Sequence, residues 1–292
     1  MTANSTFSRI GLFIRKDDPM MENAVVQITT FLNQRGLVPV CNEPLPFLPQ
    51  LATVPIEQFA QRCDLIVAIG GDGTLLSASR ALAGTELAVV GVNVGRLGFL
   101  ADVTLKNLEQ ELGHILCGHY RDDKRFLLQS SIQRNDDSSS AIAMNDVVIR
   151  SHHGLQMIEF ETHINGKFLN SQRADGLVVA TPTGSTAYAM SAGGPILDVN
   201  LDAIILASVC PHTLSNRPLV VSANNIIEIT LSDNNNGPGM VTCDGRPGQL
   251  LQPGETVRIE RYEHHIRLLH LENHDHYSIL RAKLEWGRKL TC

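Results

Sequence analysis

"DLIVAIGGDGTLLSASRALAG", residues 64–84, joins an unbroken apolar run to a turn with three glycines and one acid, and then to a helical pattern. Leu65–Ile69 are consecutive apolar residues rich in β-branched side chains, as expected of a strand covered on both faces. The same texture extends to either side. "RIGLFI" reads as a strand, and in "MMENAVVQITTFLNQRG" Met21, Val25, Ile28 and Leu32 recur every three or four residues before a stop at Gly36. "LAVVGVN" (87–93) is a further buried strand, and "LKNLEQELGHILCG" supplies another helix. Alternating strands and helices predict an α/β N-terminal domain with a Rossmann-like parallel sheet.

After about His119 the pattern changes. "MIEFETHI" places Ile158, Phe160, Thr162 and Ile164 on one side, and "IIEITL" does the same with Ile227, Ile229 and Leu231, so half-buried antiparallel strands are expected. "NDDSSS" (135–140) and "SDNNNGPG" (232–239) read as turns. The tail "YSILRAKLEWGRKL" returns to helical spacing. The expected organisation is an α/β domain over 1–118 plus 272–292 and a β-rich, β-sandwich-like domain over 119–271, the C-terminal segment returning to the first domain. "PLPFLPQLATVP" (44–55) is expected to be a surface loop, because each proline removes a backbone donor and restricts its predecessor.

Composition excludes several classes of function. The 292 residues are 43% hydrophobic and 18% charged, enough to bury a sizeable core. With a net charge of -6 and scattered Lys and Arg, there is no broad cationic footprint for nucleic acid. No run approaches the ~20 apolar residues of a membrane span and no secretory leader is recognisable, so a cytoplasmic protein is expected. Six spread cysteines with no CxxC pair are expected to be reduced thiols. The histidines of "EHH" (263–265) and "HDH" (274–276) lack metal-ligand spacing and are expected to be solvated surface or strand-face residues.

The chemistry concentrates in three places. In "AIGGDGTLL" the glycines at 70, 71 and 73 let a phosphate approach the main chain, and with Thr74 they open a helix whose N–H groups face the same way. Asp72 has the wrong sign to hold a phosphate alone. It caps the helix, binds a metal, accepts from a hydroxyl or takes a proton. "TPTGSTAYAMSAGGP" (181–195) offers hydroxyls and main-chain N–H groups after a strand, with a short helix expected to open at Ser185 or Thr186; it suits a sugar, an adenine edge or a phosphate, or is a plain capped helix. Asn145 and Asp146 in "AMNDVVIR" read most simply as an Asx turn before a strand. The usual nucleotide fingerprints, GxxxxGK[ST] and GxGxxG, are absent.

Taken together, "GGDGT", "NVGRLGFL" (93–100), "ND" and "DGLVVATPTGSTAYAMSAGGPI" (175–196) resemble the bacterial NAD kinases over roughly residues 9–290. GGDGT is shared with lipid kinases, whereas TPTGSTAY is close to diagnostic. The resemblance implies transfer of the γ-phosphoryl group of ATP to the 2′-hydroxyl of the adenosine ribose of NAD, with a divalent metal ion such as Mg²⁺, in a homo-oligomer (tetramer or dimer). It further implies that Asp72 is the proton acceptor beside Gly73, and that Asn145 and Asp146 hold adenine and the ribose hydroxyls. Thr186, Ala187, Tyr188, Ala189, Met190 and Ser191 line the adenine pocket; Arg173 and Asp175 serve the other half of the dinucleotide. Arg246 and Gln156 are further expected contacts. Charge on the phosphates is to be met by the metal, the glycine N–H groups and nearby cations such as Arg96 or Arg173. Two departures stand out: position 146 is Asp where the family usually has Glu, and Gln156 stands where relatives often carry His.

Overall fold

The apolar runs of the first third of the chain become parallel strands. In the computed structural model, which describes residues 5–15, 21–95, 98–134, 137–154 and 156–286, the chain divides into Met1–Lys124 with Ile266–Cys292, and Arg125–His265. The first unit comprises β1 (Ile10–Phe13), α1 (Met21–Gln34), β2 (Val40–Cys41), α2 (Phe59–Arg62), β3 (Leu65–Ile69), α3 (Asp72–Ala81), β4 (Ala88–Asn93), β5 (Val103–Thr104) and α4 (Leu108–Leu116). Its strands lie in the order β2-β1-β3-β4, all parallel. Every residue of β3 and β4 is buried, which is why both read as continuous apolar runs. Met21, Val25, Ile28 and Leu32 form the buried stripe of α1, packed with Leu65, Val67 and Val90. Each such fully buried aliphatic side chain contributes about 1.5–3 kcal/mol. The proline-rich loop is irregular as expected, yet Leu48 and Leu51 reach into this core.

The second unit follows the period-two alternation of its sequence. Its elements are β6 (Arg121–Arg134, entering from the first unit), β7 (Asp137–Ala143), β8 (Asp146–Ser151), β9 (Ile158–Ile164), β10 (Lys167–Ala174), β11 (Gly176–Ala180), α5 (Tyr188–Ser191), β12 (Ala203–Val209), β13 (Leu219–Ser222), β14 (Ile227–Leu231), β15 (Gly239–Cys243), β16 (Gln249–Leu251) and the start of β17 (Thr256–His270). One antiparallel sheet runs β13-β12-β11-β8-β15-β16; β10-β9-β14-β17 form another. Phe160, Ile227 and Ile229 of the latter share one core with Val147, Ile149, Leu177 and Val179 of the former, so the two sheets make a sandwich. On the opposite face, Val148, Val178, Ala180, Ile205 and Ala207 are covered by Ala189 and Leu197 from the "TPTGSTAY" region. Residues 137–140, expected in a turn, belong to β7, because they pair with β6 through Arg134 and Asp137; Asn135 and Asp136 lie outside the described residues.

The C-terminal segment returns to the first unit. At the end of β17, Arg267 and Leu268 pair parallel with Ala88 and Val89 of β4, and the chain finishes with α6 (His276–Lys283). The turn between them buries a cluster that spacing in the sequence did not reveal. His270 Nδ1 and His274 Nδ1 both donate to Asp102 Oδ2 at 2.7 Å, and their rings stack with centroids 4.0 Å apart. His274 is therefore not solvated as expected; its side chain is 3% exposed, because the Asp102 carboxylate gives it a buried partner. Burial alone would raise the Asp102 carboxyl, but the bonds and charge from His270 and His274 outweigh it and hold the pKa at about 2. With the folded pKa below the ordinary one, this stabilisation is present above pH 3.8 and lost as pH falls toward about 2. Asp102→Asn is expected to lower unfolding stability by about 1–3 kcal/mol at neutral pH in urea denaturation. An unchanged midpoint would remove the cluster from any role in stability.

Candidate active site

The chain order β1, β2, β3 runs outward and then back across the sheet, so the direction of winding reverses between β1 and β3. In open parallel sheets that reversal opens a crevice at the carboxyl ends of the two strands, where ligands bind. The residues at those ends are Arg15, two positions after β1, and the GGDG turn after β3. Gly70 has φ of +148° and lies so close to Thr74 Oγ1 that a Cβ there would collide with it. Thr74 N–H and Leu75 N–H both donate to Gly71 O at 3.0 and 3.3 Å, and α3 begins. Ahead of these two, Asp72 and Gly73 N–H precede any intrahelical acceptor, as at any helix start. Gly71 and Gly73 are exposed beside them.

Asp72 does not cap this helix. Gly71 occupies the cap position without a side-chain bond, and the Asp72 carboxylate turns to the "NVGRLGFL" segment instead. Phe99 N–H donates to Oδ2 at 2.7 Å and Leu100 N–H to Oδ1 at 3.1 Å. The approach is so close that a Cβ on Gly98 would collide with the carboxylate. Asp72 remains half-exposed, its orientation set by main-chain groups rather than by a flexible partner. One cation that the sequence reading missed stands here: Arg15 Nη1 lies 3.5 Å from where a Cβ on Gly73 would be. Its position at a parallel-strand end was the available signal. Arg96, expected as a nearby cation, lies outside the described residues.

In the second unit, Asn145, Asp146, Ala187, Tyr188 and Arg246 come together around a cavity of 910 Å³. Asn145 Oδ1 is buried there without a hydrogen-bond partner among the described residues. Asp146 is 5% exposed, and burial, then the charge of Asp244, push its carboxyl up to about 7 against the opposing bond donated by Tyr188 N–H. Asp244 is a second missed residue, visible in sequence only as the Asp-Gly pair of "CDGRPG". Its carboxylate accepts from the N–H groups of Met144, Asn145 and Asp146 at 3.1, 2.7 and 3.2 Å.

The other expected contacts are dispersed. Gln156 and Arg173 line a separate 500 Å³ cavity with Glu159 and Asn234. Asp175 is exposed beside Cys210, whose thiol it pushes up by hydrogen bonding. A 3₁₀ turn over Thr183–Thr186 precedes α5, which starts at Tyr188, later than expected. Ala189 is fully buried in the core beneath α5; Thr186, Met190 and Ser191 line neither cavity. Among the described residues, the one group of three side chains spaced to hold a metal is Asp102, His270 and His274. Asp102 Oδ2 already accepts both imidazole bonds.

The raised Asp146 carboxyl has a measurable consequence. Its proton is held more tightly in the folded chain than in the unfolded one. The associated stabilisation is full below pH 3.8 and lost as pH rises through about 7. Asp146→Asn, which copies the neutral acid, is expected to match the parent's urea midpoint below pH 3.8 and to exceed it by a margin that grows until about pH 7. Equal midpoints throughout would mean that the carboxyl ionises freely.

The chain has clear relatives. The family model described as ATP-NAD kinase N-terminal domain matches residues 49–120, and that described as ATP-NAD kinase C-terminal domain matches residues 144–271. The chain is 50% identical over 288 residues to an NAD kinase of Nitrosococcus oceani, covering 97% of this chain and 98% of that one. It is 42% identical over 294 residues to an NAD kinase of Teredinibacter turnerae, covering 97% and 98%. Among solved structures it resembles an NAD kinase from Archaeoglobus fulgidus in complex with ATP, with a TM-score of 0.75, 25% identity, and 95% and 98% of the two chains covered. Yeast NADH kinase complexed with NADH shares the fold, with a TM-score of 0.87 at 23% identity over 99% of this chain and 95% of that one. On the strength of near full-length identity and matched N- and C-terminal domains, the chain belongs to the NAD kinase family and is an NAD kinase enzyme.

Proposed function

We propose that the enzyme transfers the γ-phosphoryl group of ATP to the 2′-hydroxyl of the adenosine ribose of NAD, giving NADP, with Asp72 orienting and deprotonating that hydroxyl. The observation that carries this reading is the Asp72 carboxylate held by Phe99 and Leu100 N–H in a turn of exposed glycines. A carboxylate is too weak a base to ionise a ribose alcohol in advance. In a loose phosphoryl-transfer transition state little proton removal is needed early, so the carboxylate aligns the hydroxyl and accepts its proton late. Main-chain N–H groups at Gly71 and Gly73 receive the phosphates, while Gly70 and Thr74, expected to do the same, spend theirs on Val92 O and Gly71 O and shape the turn; Arg15 beside Gly73 meets part of the phosphate charge.

Asn145 and Asp146 take the adenine and ribose hydroxyls in the 910 Å³ cavity, with Ala187 and Tyr188 as its wall and Arg246 at its edge. Thr186, Ala189, Met190 and Ser191 shape that wall. Gln156, Arg173 and Asp175 serve the nicotinamide half. Magnesium is ordinarily held by phosphate oxygens and one or two carboxylates rather than by an all-protein cage, and the GGDG turn fits that habit. When bound, the ion would neutralise charge on the transferred phosphate. Among the described residues, no helix is long and apolar enough to cross a membrane. We place the enzyme in the cytoplasm and infer that it is a homo-oligomer; exposed Phe168 and Leu169 on β10 and Leu219 and Val220 on β13, both edge strands, support the self-association.

The test incubates purified protein with NAD and Mg-ATP and detects NADP with an NADP-specific dehydrogenase. Folded protein that forms no NADP would sink the assignment. Asp72→Asn is expected to lower kcat by about 10²–10⁴-fold, with NAD affinity by calorimetry changed less than about threefold. Gly98→Ala, which pushes the carboxylate out of place, is expected to lower kcat by at least about tenfold while the protein stays folded. Full activity in either variant would remove Asp72 from the chemistry.

A further inference from the structure

The site as proposed leaves one well-placed acid without a role. Asp244 sits at the end of β15 in the left-handed region, φ +49°, followed by Gly245 at +68°. That turn carries its carboxylate to the chain just ahead of β8, a hundred residues away in sequence. Three consecutive N–H groups converge on it, from Met144 to Oδ2 and from Asn145 and Asp146 to Oδ1. Asp244 N–H donates in return to Asp146 O at 2.9 Å. The neighbouring carbonyls are held as firmly: Thr181 Oγ1 donates to Met144 O at 2.6 Å and Thr181 N–H to Asn145 O at 2.9 Å. With its backbone bonded on both sides, this segment has little freedom left except in the Asn145 and Asp146 side chains. Both of these line the cavity, and Asn145 Oδ1 is a buried acceptor with no donor among the described residues.

We propose that Asp244 is the positioning residue for the Asn145–Asp146 pair, fixing the backbone from which both side chains read the adenosine hydroxyls and adenine edge. The inference rests on the assignment of this cavity to the adenosine half of NAD. Two effects follow from one carboxylate. The first is geometric: an Asn at 244 turns an N–H₂ toward main-chain donors that need acceptors, so the pair shifts and dinucleotide binding weakens. The second is electrostatic: a negative charge beside buried Asp146 raises the pH at which that acid loses its proton. The other titratable or charged groups lining the cavity are Arg150, His152, Tyr188 and Arg246. Ribose hydroxyls donate best to an ionised Asp146, so NAD binding strengthens as pH rises through the midpoint of that acid.

The test measures Asp244→Asn against the parent protein in two ways. In the ligand-free protein, the carboxyl carbon of Asp146 is titrated by NMR; the midpoint is expected to fall by about one pH unit in the variant. In turnover, KM for NAD is expected to rise about tenfold, more than kcat falls, and the pH at which KM changes moves down with the NMR midpoint. A merely structural contact would raise KM equally at every pH. If Asp244→Asn folds poorly, Asp244→Glu serves instead: it keeps the charge and the Asp146 midpoint but misplaces the backbone and still raises KM. A folded Asp244→Asn protein with parental midpoint and KM overturns the proposal. Because the NMR titration uses no nucleotide, parent protein that fails to bind NAD refutes the cavity assignment separately.

Discussion

Two main-chain N–H groups, from Phe99 and Leu100, hold the Asp72 carboxylate, and much of the first unit is arranged around that contact. It ties the turn after β3 to the segment after β4, so the crevice side of two adjacent parallel strands is braced by an acid rather than by packing. The contact explains why residue 98 has no side chain and why α3 starts without a side-chain cap. It also settles what the glycines are for. They bring a charged group and exposed N–H donors to the same strand end, where a cation, Arg15, already stands.

Asp72 of the first unit and Asp146 of the second live in opposite surroundings. Asp72 is half-exposed and receives N–H bonds that suit a carboxylate. Asp146 is buried beside another acid, which suits the protonated form. Environment therefore sets two chemically identical side chains apart, and the division of work proposed for them follows that difference. Asp146 is carried by a backbone pinned on both its donor and its acceptor sides.

Much of this was legible in the sequence because the decisive signals are local. "LIVAI" and "LAVVGVN" announce buried parallel strands, "IIEITL" announces a half-buried antiparallel one, and GGDG marks a strand-end turn by its glycines alone. What escaped depends on residues far apart. Asp102, His270 and His274 share one carboxylate across 168 to 172 positions, and no spacing rule connects them. Asp244 looks like an ordinary hairpin residue until β15 is laid against β8. Leu48 and Leu51 sit among prolines that signal irregular backbone, and irregular backbone can still be packed. Arg15 is one scattered cation among 24 until the winding of the sheet marks its strand end as a crevice.

The return of β17 to β4 has a bearing on how the protein is made. The first unit is assembled from both ends of the sequence, since Arg267 and Leu268 supply strand pairing for Ala88 and Val89. During synthesis the N-terminal strands emerge from the ribosome about 180 residues ahead of that partner, a wait of roughly ten to forty seconds at ordinary elongation rates. Throughout that interval the start of β4, apolar and fully buried in the finished protein, lies along an unpaired sheet edge. Such an edge is a template for pairing with other chains. The nascent enzyme thus carries an aggregation hazard that lasts until β17 is made and pairs with β4.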